Sequence, residues 1–296
     1  MSYIKLIKGF MKKLLIFPAL VFISLMVYAD EPEQPTVIKF NNLLTLKTSL
    51  IYNLMIFEQT AQNHSYITNQ PIDVGAGIGI KDFFISFSLS IPFLYDRNFE
   101  KSKSFNANFY HYFKDRSFFN GFFGYFDGFH DRVEKNIDLR ILTIGLSQTF
   151  ILNRNHSIRT AYNLDGKQKV SNGSLLFGGG LFFTSIRSDD NNLEYYFEQR
   201  NSFFFGPSIG YSYTFIIKEN FFINILSTFS WNGILNNGNF AVGFQALPRF
   251  SIGYHGKRWS INFSSDFCFF ADNLNTDWQN NQNFGEISLS FLTRFF

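Results

Sequence analysis

The side chains best placed to carry chemistry are charged residues that alternate with apolar residues along short segments. Successive residues of a β-strand point to opposite faces, so this spacing puts the charges on one face and the apolar side chains on the other. In a membrane barrel, a charge on the lipid side near the midplane costs about 2–4 kcal/mol, so the charged face should line the lumen. The candidate lumen-lining residues are Arg159, Arg249, Arg258, Asp266, Glu286 and Arg294.

Two interpretations of these charges remain open. They could form a satisfied ion network that fills a closed barrel, or they could line a polar pore and set its solute preference. Both are structural or transport roles, and neither is catalysis.

Motifs for catalysis or metal binding are weak in the sequence. The five histidines form no H-x-x-x-H pair. The G-x-S-x-G match at 206–210 lies inside the strand-like segment 203–217, whereas a nucleophile elbow needs a strand-to-helix turn. His156-Ser157 is an adjacent His/Ser pair, as is His64-Ser65, but neighbours on a strand face opposite sides. Gly178-Gly179-Gly180 is not followed by GK[ST], which a phosphate loop requires. The sequence therefore predicts no catalytic residue, metal or cofactor, and an enzyme is disfavoured. A phospholipase-like Ser-His site assembled from neighbouring strands remains an alternative.

The elements that must position the charges are β-strands. In the segment Ile72 to Ile91, Phe83, Phe87 and Leu89 share one parity, while Ser86 shares the other with further small residues. Strict period two over this length indicates strands, and Lys81-Asp82 predicts the turn between them. Aromatic residues alternate with Ser, Asn, Gly and Thr through most of the chain. The 42 phenylalanines therefore coexist with a mean hydropathy of −0.03, as in a lipid-facing barrel.

Residues 1–29 read as a secretory signal peptide. A basic segment precedes the apolar stretch Leu14 to Val27, and Val27-Tyr28-Ala29 forms a small-residue cleavage site. Met11 could be the true start, and a retained membrane anchor is the alternative. The signal holds four of the 26 basic residues and no acid, so 22 basic and 23 acidic residues leave the mature net charge at −1. Nucleic-acid binding is not expected, and the single Cys268 excludes an intramolecular disulfide.

Thirteen strand-like segments follow a lead-in at residues 30–42, and the barrel is expected to occupy residues 43–296. A closed single-chain barrel normally has an even number of strands. All short turns should lie at the same end of the barrel, but counting strands from the two chain termini gives assignments that differ by one strand between residues 156 and 202. A short extra strand at Leu193 to Gln199 resolves this difference and gives a total of 14 strands. The predicted fold is an all-β, transmembrane, antiparallel up-and-down barrel of 12–14 strands, with 14 preferred and 12 expected if two weak segments are loops.

The last predicted strand, Phe284 to Phe296, alternates and ends on an aromatic residue. Such a strand resembles the assembly signal of bacterial outer-membrane barrels, although the apolar parity ends at Phe295, one residue early. The resemblance implies the barrel-assembly machinery as a partner, engaged through this strand.

Four motifs occur in a characteristic order: K-S-K-S-F at 101–105, F-D-G-F at 126–129, Q-K-V-S-N-G-S-L-L-F-G-G-G at 168–180 and G-P-S-I-G-Y-S-Y-T at 206–214. This order resembles a bacterial domain-of-unknown-function family of predicted outer-membrane β-barrels, over most of the mature chain. The resemblance implies a location and a fold, and it brings no substrate and no catalytic residues.

The sequence thus predicts a porin-like barrel in the outer membrane of a diderm bacterium. A small-solute channel or transport protein is the favoured role, because lumen-parity positions are small and polar. Barrels of more than about 8 strands usually enclose a cavity or channel. A lipid-modifying enzyme and a structural or adhesive surface barrel are the alternatives. The expected partners are outer-membrane lipid, the assembly machinery and small solutes, without nucleic acid. Against transport, a barrel of 12 to 14 strands can be plugged by its own side chains or by residues 30–42 folding inward, and the sequence does not decide between an open and a plugged barrel.

Overall fold

The structure is a computed structural model that describes residues 36–40, 43–59, 64–69, 72–91, 98–99, 101–113, 116–131, 136–162, 164–188, 200–236, 238–272 and 280–296. The predicted signal at 1–29 and the predicted strand at 193–199 lie outside this part of the chain. Among the described helical residues, none belongs to a helix long and apolar enough to cross a membrane.

The described chain is almost entirely β-strand, as the alternating aromatic and small polar residues predict. Its elements are β1 (Val37–Lys39), β2 (Leu44–Gln59), β3 (His64–Thr68), β4 (Ile72–Ile80), β5 (Phe83–Ser90), β6 (Lys103–Phe113), β7 (Ser117–Asp131), β8 (Asn136–Ile151), α1 (Arg159–Tyr162), β9 (Gly166–Gln168), β10 (Asn172–Ser188), β11 (Arg200–Ile217), β12 (Phe221–Asn236), β13 (Asn239–His255), β14 (Trp259–Asp272) and β15 (Asn280–Phe295).

Twelve antiparallel strands form a closed ring. Each of β2, β4–β8 and β10–β15 pairs with the next, and β15 returns to β2 from Phe295↔Leu44 to Asn280↔Gln59. β1 and β9 form a separate two-stranded sheet. The predicted all-β antiparallel barrel is confirmed with 12 strands, and the preferred count of 14 is wrong.

The segment Ser157 to Leu164, which alternation predicts as a strand, is not one. It folds as the single turn α1 and its flanks, with Ile158, Ala161 and Leu164 all buried. This spacing of three residues follows one side of a helical turn. Eight residues are too few to separate the two periods by sequence pattern, so the packing around the segment decides its conformation.

The two faces of the strands differ as the alternation predicts. On β5, Phe83 is 51% exposed while its neighbour Phe84 is 2% exposed. The same contrast continues around the ring, where outward side chains are mostly large and apolar. Examples are Leu50, Ile78, Phe87, Ile144, Leu181, Ile209, Trp231, Phe244, Phe263 and Leu289. The outer surface is therefore an apolar belt.

We name the two ends of the barrel by their connections. The turn end carries the short connections at 81–82, 218–220 and 256–258; the loop end is the opposite end, where β2 stops at Gln59. At the loop end, β3 pairs with β2 through Ile67↔Ile56 and with β7 through Ile67↔His130. At the loop end, β3 alone therefore connects β2 to β7, in place of β4, β5 and β6. The ring contains fewer strands there and is narrower.

The narrowed loop end contains a cluster of apolar side chains, which we call the cap. The cap residues are buried and contact one another across the barrel, and Phe284 packs against them. They are Met55, Tyr66, Phe126, Phe129, Leu139, Ile141 and Ile186. The cap places packed hydrocarbon side chains inside the lumen at the loop end.

The turn end is filled by the connection between β8 and β10. This plug, residues 152–162 and 164–171, folds back into the barrel, and its β9 pairs with β1. Ala161 and Leu164 pack against Phe84, Phe222 and Leu292, which project inward from strands on different sides of the ring. The cap and the plug therefore occupy the lumen near its two ends.

Candidate functional site

Two adjoining cavities lie inside the barrel between the cap and the plug. The loop-side chamber has a volume of about 360 Å³ and the turn-side chamber about 250 Å³. They share six lining residues, so they form one elongated space. The shared residues are Asn108, Asn120, Leu247, Cys268, Phe284 and Glu286.

The loop-side chamber exists because one wall carries small side chains. Ser147, Gly180 and Ser208 line it from β8, β10 and β11, while Phe284 faces them from β15 on the opposite side of the ring. Most remaining lining groups are neutral amides, hydroxyls and aromatic rings, such as Asn106. This chamber can hydrogen-bond a polar solute and contact its apolar part.

The turn-side chamber contains the charged groups of the lumen. Arg249 and Asp266 pair across β13 and β14 at 3.1 Å. The Arg249 guanidinium also lies 3.8 Å from the centre of the Tyr162 ring and donates to the Ala161 carbonyl at 3.4 Å. Asn262 donates to the same carbonyl at 3.2 Å. Strands β13 and β14 of the barrel wall therefore bind α1 directly.

Arg159 anchors the plug from within. Its guanidinium donates to both carboxylate oxygens of Asp165, at 3.2 and 2.7 Å, and to Asp82 in the β4–β5 turn at 2.6 Å. The Tyr112 ring lies 4.5 Å from the guanidinium carbon. Burial alone would lower the pKa of Arg159, but the two carboxylates outweigh it and raise the pKa. Partial burial would likewise raise the pKa of Asp82, but the Arg159 hydrogen bond and charge lower it. Both groups are thus held charged.

A third arginine holds the rim of the plug. Arg294 on β15 donates to the Leu164 carbonyl and the Ser260 hydroxyl, and at 3.1 Å to the Gly256 carbonyl. Its guanidinium carbon lies 3.5 Å from the centre of the Phe40 ring, so it also holds the segment that follows β1.

The N-terminal strand β1 pairs with the plug, and its Lys39 also binds Asp82 in the β4–β5 turn at 3.4 Å. Val37 to Lys39 pair with Gly166 to Gln168, and the Lys169 amide donates to the Thr36 carbonyl at 2.8 Å. The Thr36 hydroxyl donates to the Asn155 side chain at 3.2 Å. This part of the predicted lead-in therefore lies against the plug.

The six lumen residues predicted from sequence occupy three kinds of position. Arg249, Asp266 and Glu286 line the turn-side chamber. Arg159 and Arg294 are buried at the plug, and Arg159 reaches the lumen from α1 rather than from a strand. Arg258 is exposed in the turn before β14, so the structure places it outside the lumen. Strand alternation does not apply to Arg258, because β14 begins only at Trp259.

Sequence reasoning missed three interior groups. Lys47 and Tyr110 line the turn-side chamber, and Asp73 is fully buried and accepts from Asn53 at 2.6 Å and Ser104 at 2.7 Å. The alternation of the sequence already indicates an inward Lys47, because its neighbours Leu46 and Thr48 point outward.

The histidines and serines that come together are structural contacts. His255 and Ser260 meet at 2.9 Å beside Arg294, and His156 contacts the Asn172 carbonyl at 3.1 Å. His156 is fully buried, and burial lowers its pKa to about 4. Within the described residues, no group of three or more His, Cys, Asp or Glu could hold a metal ion.

The family of the chain follows from a family model that matches residues 26–295. The chain belongs to the family described as a domain of unknown function (DUF4421). The predicted resemblance to a barrel family of unknown function is thereby confirmed. No curated protein matches the chain in sequence.

Solved structures similar to this chain include several bacterial outer-membrane barrels. A bacterial polysaccharide outer membrane secretin shares 9% identity over 86% of this chain and 99% of its own, with a TM-score of 0.41. An outer membrane channel from Pseudomonas putida F1 shares 10% identity over 90% and 100%, with a TM-score of 0.39. The outer membrane protease OmpT from Escherichia coli shares 8% identity over 89% and 99%, with a TM-score of 0.39.

Proposed function

We propose that this chain is a plugged transport barrel of the bacterial outer membrane, which holds a small polar solute in its lumen and passes it when the plug moves. The observation that carries the proposal is the elongated interior space between the cap and the plug, lined by hydroxyl, amide and charged groups. A barrel with a purely structural role gains stability by filling such space with side chains.

The location rests on the outer surface and on the predicted signal peptide. An apolar belt around the barrel suits contact with hydrocarbon. A closed ring also leaves no unpaired strand edge in lipid. Membrane fractionation with N-terminal sequencing tests this part. We expect the mature chain in the outer-membrane fraction, beginning at Asp30. Recovery as a soluble periplasmic protein would refute the location.

Transport is tested by removing the plug. Asn153 and Ser174 stand opposite each other where β8 and β10 leave the plug, since the Asn153 amide donates to the Ser174 hydroxyl at 2.9 Å. Replacing residues 154–173 by Asn-Gly should join the strands as a tight hairpin. In planar bilayers, we expect rare small conductance from the full chain and stable channels from this plug-deletion variant. A folded plug-deletion variant that conducts nothing would overturn the transport proposal.

Assembly is proposed to use the last strand. β15 closes the ring against β2, so the assembly machinery would need to release this strand last. Crosslinking from Phe296, which is exposed beyond the end of β15, to the assembly machinery in cells would support the partnership. Normal assembly without such a crosslink would count against it.

A further inference from the structure

The charged residues that line the turn-side chamber differ in their partners. Arg249 on β13 and Asp266 on β14 form an ion pair, and Arg249 also contacts the plug. Lys47 and Glu286 also line this chamber. The Lys47 ammonium lies 5.9 Å from the centre of the Phe84 ring, but within the described residues neither Lys47 nor Glu286 has a hydrogen bond or an ion pair. An ionised group in a confined interior loses part of its hydration, so an unpaired charge there marks a functional site more often than a stabilising one.

Lys47 and Glu286 lie along one seam of the barrel, where β2 pairs with β15. Lys47 stands opposite Leu292, and Glu286 stands opposite Asn53, six residues further along β2. Six residues of strand put the two backbone positions about 20 Å apart. The two side chains border the same cavity, and their ends are close enough to interact electrostatically. The seam therefore has a basic side chain towards its turn end and an acidic side chain towards its loop end.

Hydroxyl groups occupy the seam between the two charges. Ser49 and Ser290 meet at 2.9 Å, and Ser264 and Ser288 meet at 2.8 Å. Each of these pairs uses one hydroxyl proton internally and leaves the other free to bind a solute. All four serines line the chamber.

We propose that the turn-side chamber binds a short extended zwitterion, such as a di- or tripeptide, with its carboxylate at Lys47 and its ammonium group at Glu286. The serine pairs hydrogen-bond the polar groups between its ends. This inference rests on the proposed function and names its solute class. A compact α-amino acid would bring its two charges too close together to reach both poles, and a singly charged solute would leave one pole unpaired.

The test uses four forms of one peptide. Trialanine is a zwitterion, N-acetyl-trialanine an anion, trialanine amide a cation and N-acetyl-trialanine amide is neutral. Binding to the purified full chain and to the plug-deletion variant is measured by calorimetry in detergent. We expect trialanine to bind at least about 10-fold more tightly than either singly blocked form. Equal affinities for all four forms, or no binding to either protein, would overturn the inference.

Two isosteric variants locate the poles. Lys47→Met should remove only the preference for a free carboxyl terminus, and Glu286→Gln only the preference for a free amino terminus. Retention of both preferences in the two variants would also overturn the inference. The result is separable from transport: a conducting plug-deletion variant without charge discrimination leaves transport standing, whereas tight zwitterion binding without conductance leaves a binding barrel.

Discussion

Arg159 and Asp165 form a bidentate pair inside the barrel, with nitrogen–oxygen distances of 3.2 and 2.7 Å. Both residues belong to the plug, and both are buried. The pair stabilises the plug internally. The remaining guanidinium nitrogen of Arg159, Nη1, binds Asp82 and so attaches the plug to the barrel. The plug can therefore keep its own shape while its attachment to the wall changes.

Replacing Arg159 by Met should loosen the plug. The change leaves Asp165 without its cationic partner, and removing one partner of a buried pair typically costs about 3–5 kcal/mol. We expect increased conductance in planar bilayers and protease access to residues 152–171. Arg159→Lys should give a smaller effect, because a lysine cannot bind both carboxylate oxygens in the same fork. Lys257→Met in the exposed 256–258 turn is the matched control, and an equal effect there would contradict the anchoring role.

Acidification should destabilise the plug through His156. Its pKa falls from 6.5 to about 4 on folding, so the unfolded state binds more protons between these values. Stability is therefore complete above about pH 6.5 and decreases as the pH falls towards 4, by up to about 3 kcal/mol. Urea unfolding of the barrel in vesicles at pH 7.5 and pH 5 measures the loss. His156→Gln should flatten this dependence, and an unchanged pH profile in the variant would show that other groups cause it.

Arg249 should set ion selectivity once the lumen is open. In the plug-deletion background, Arg249→Glu places a carboxylate beside Asp266 and should shift reversal potentials towards cation preference. Arg258→Glu makes the same charge change in an exposed turn, so it serves as the matched control. If both variants shift selectivity equally, the effect arises from surface charge and not from the chamber.

Gly206 should not tolerate a side chain. A Cβ at this position would lie 1.9 Å from the Trp231 carbonyl oxygen, so the β11–β12 backbone would have to move apart. We expect Gly206→Ala to lower stability by about 1–3 kcal/mol, seen as a lower temperature for loss of heat-modifiable gel migration. At Gly121 the nearest atom would be the Leu146 methyl group at 3.3 Å. Gly121→Ala should therefore migrate almost as the unchanged chain does, and equal losses in the two variants would contradict the packing argument.

Deletion of residues 291–296 should prevent barrel closure. It removes the pairs from Phe291↔Thr48 to Phe295↔Leu44 and with them the Arg294 contacts to the plug. Unpaired backbone groups in hydrocarbon are costly, so we expect no heat-modifiable species. Phe296→Ala changes only an exposed residue beyond β15 and is the control. Normal migration of the deletion variant would rule out the closing role of this strand.

The sequence by itself determined most of the barrel strands and the direction of their faces. Alternation of two residues places Phe83 outward and Phe84 inward regardless of what the strand pairs with, because the pleat fixes side-chain direction locally. The same alternation runs along β6, where Phe105, Phe109 and Phe113 share one parity. It also allowed 12 strands as well as 14.

Only the tertiary structure decided the plug, the cap and the chambers. Residues 157–164 alternate well enough for a strand, yet they lie inside a ring that β8 and β10 close without them, so they pack as a turn of helix against Phe222 and Leu292. Lys47 and Glu286 are separated by more than 200 residues of sequence and come to one seam only because β15 pairs with β2. Local spacing carries no information about such closure, since it depends on pairing between strands from the two ends of the chain.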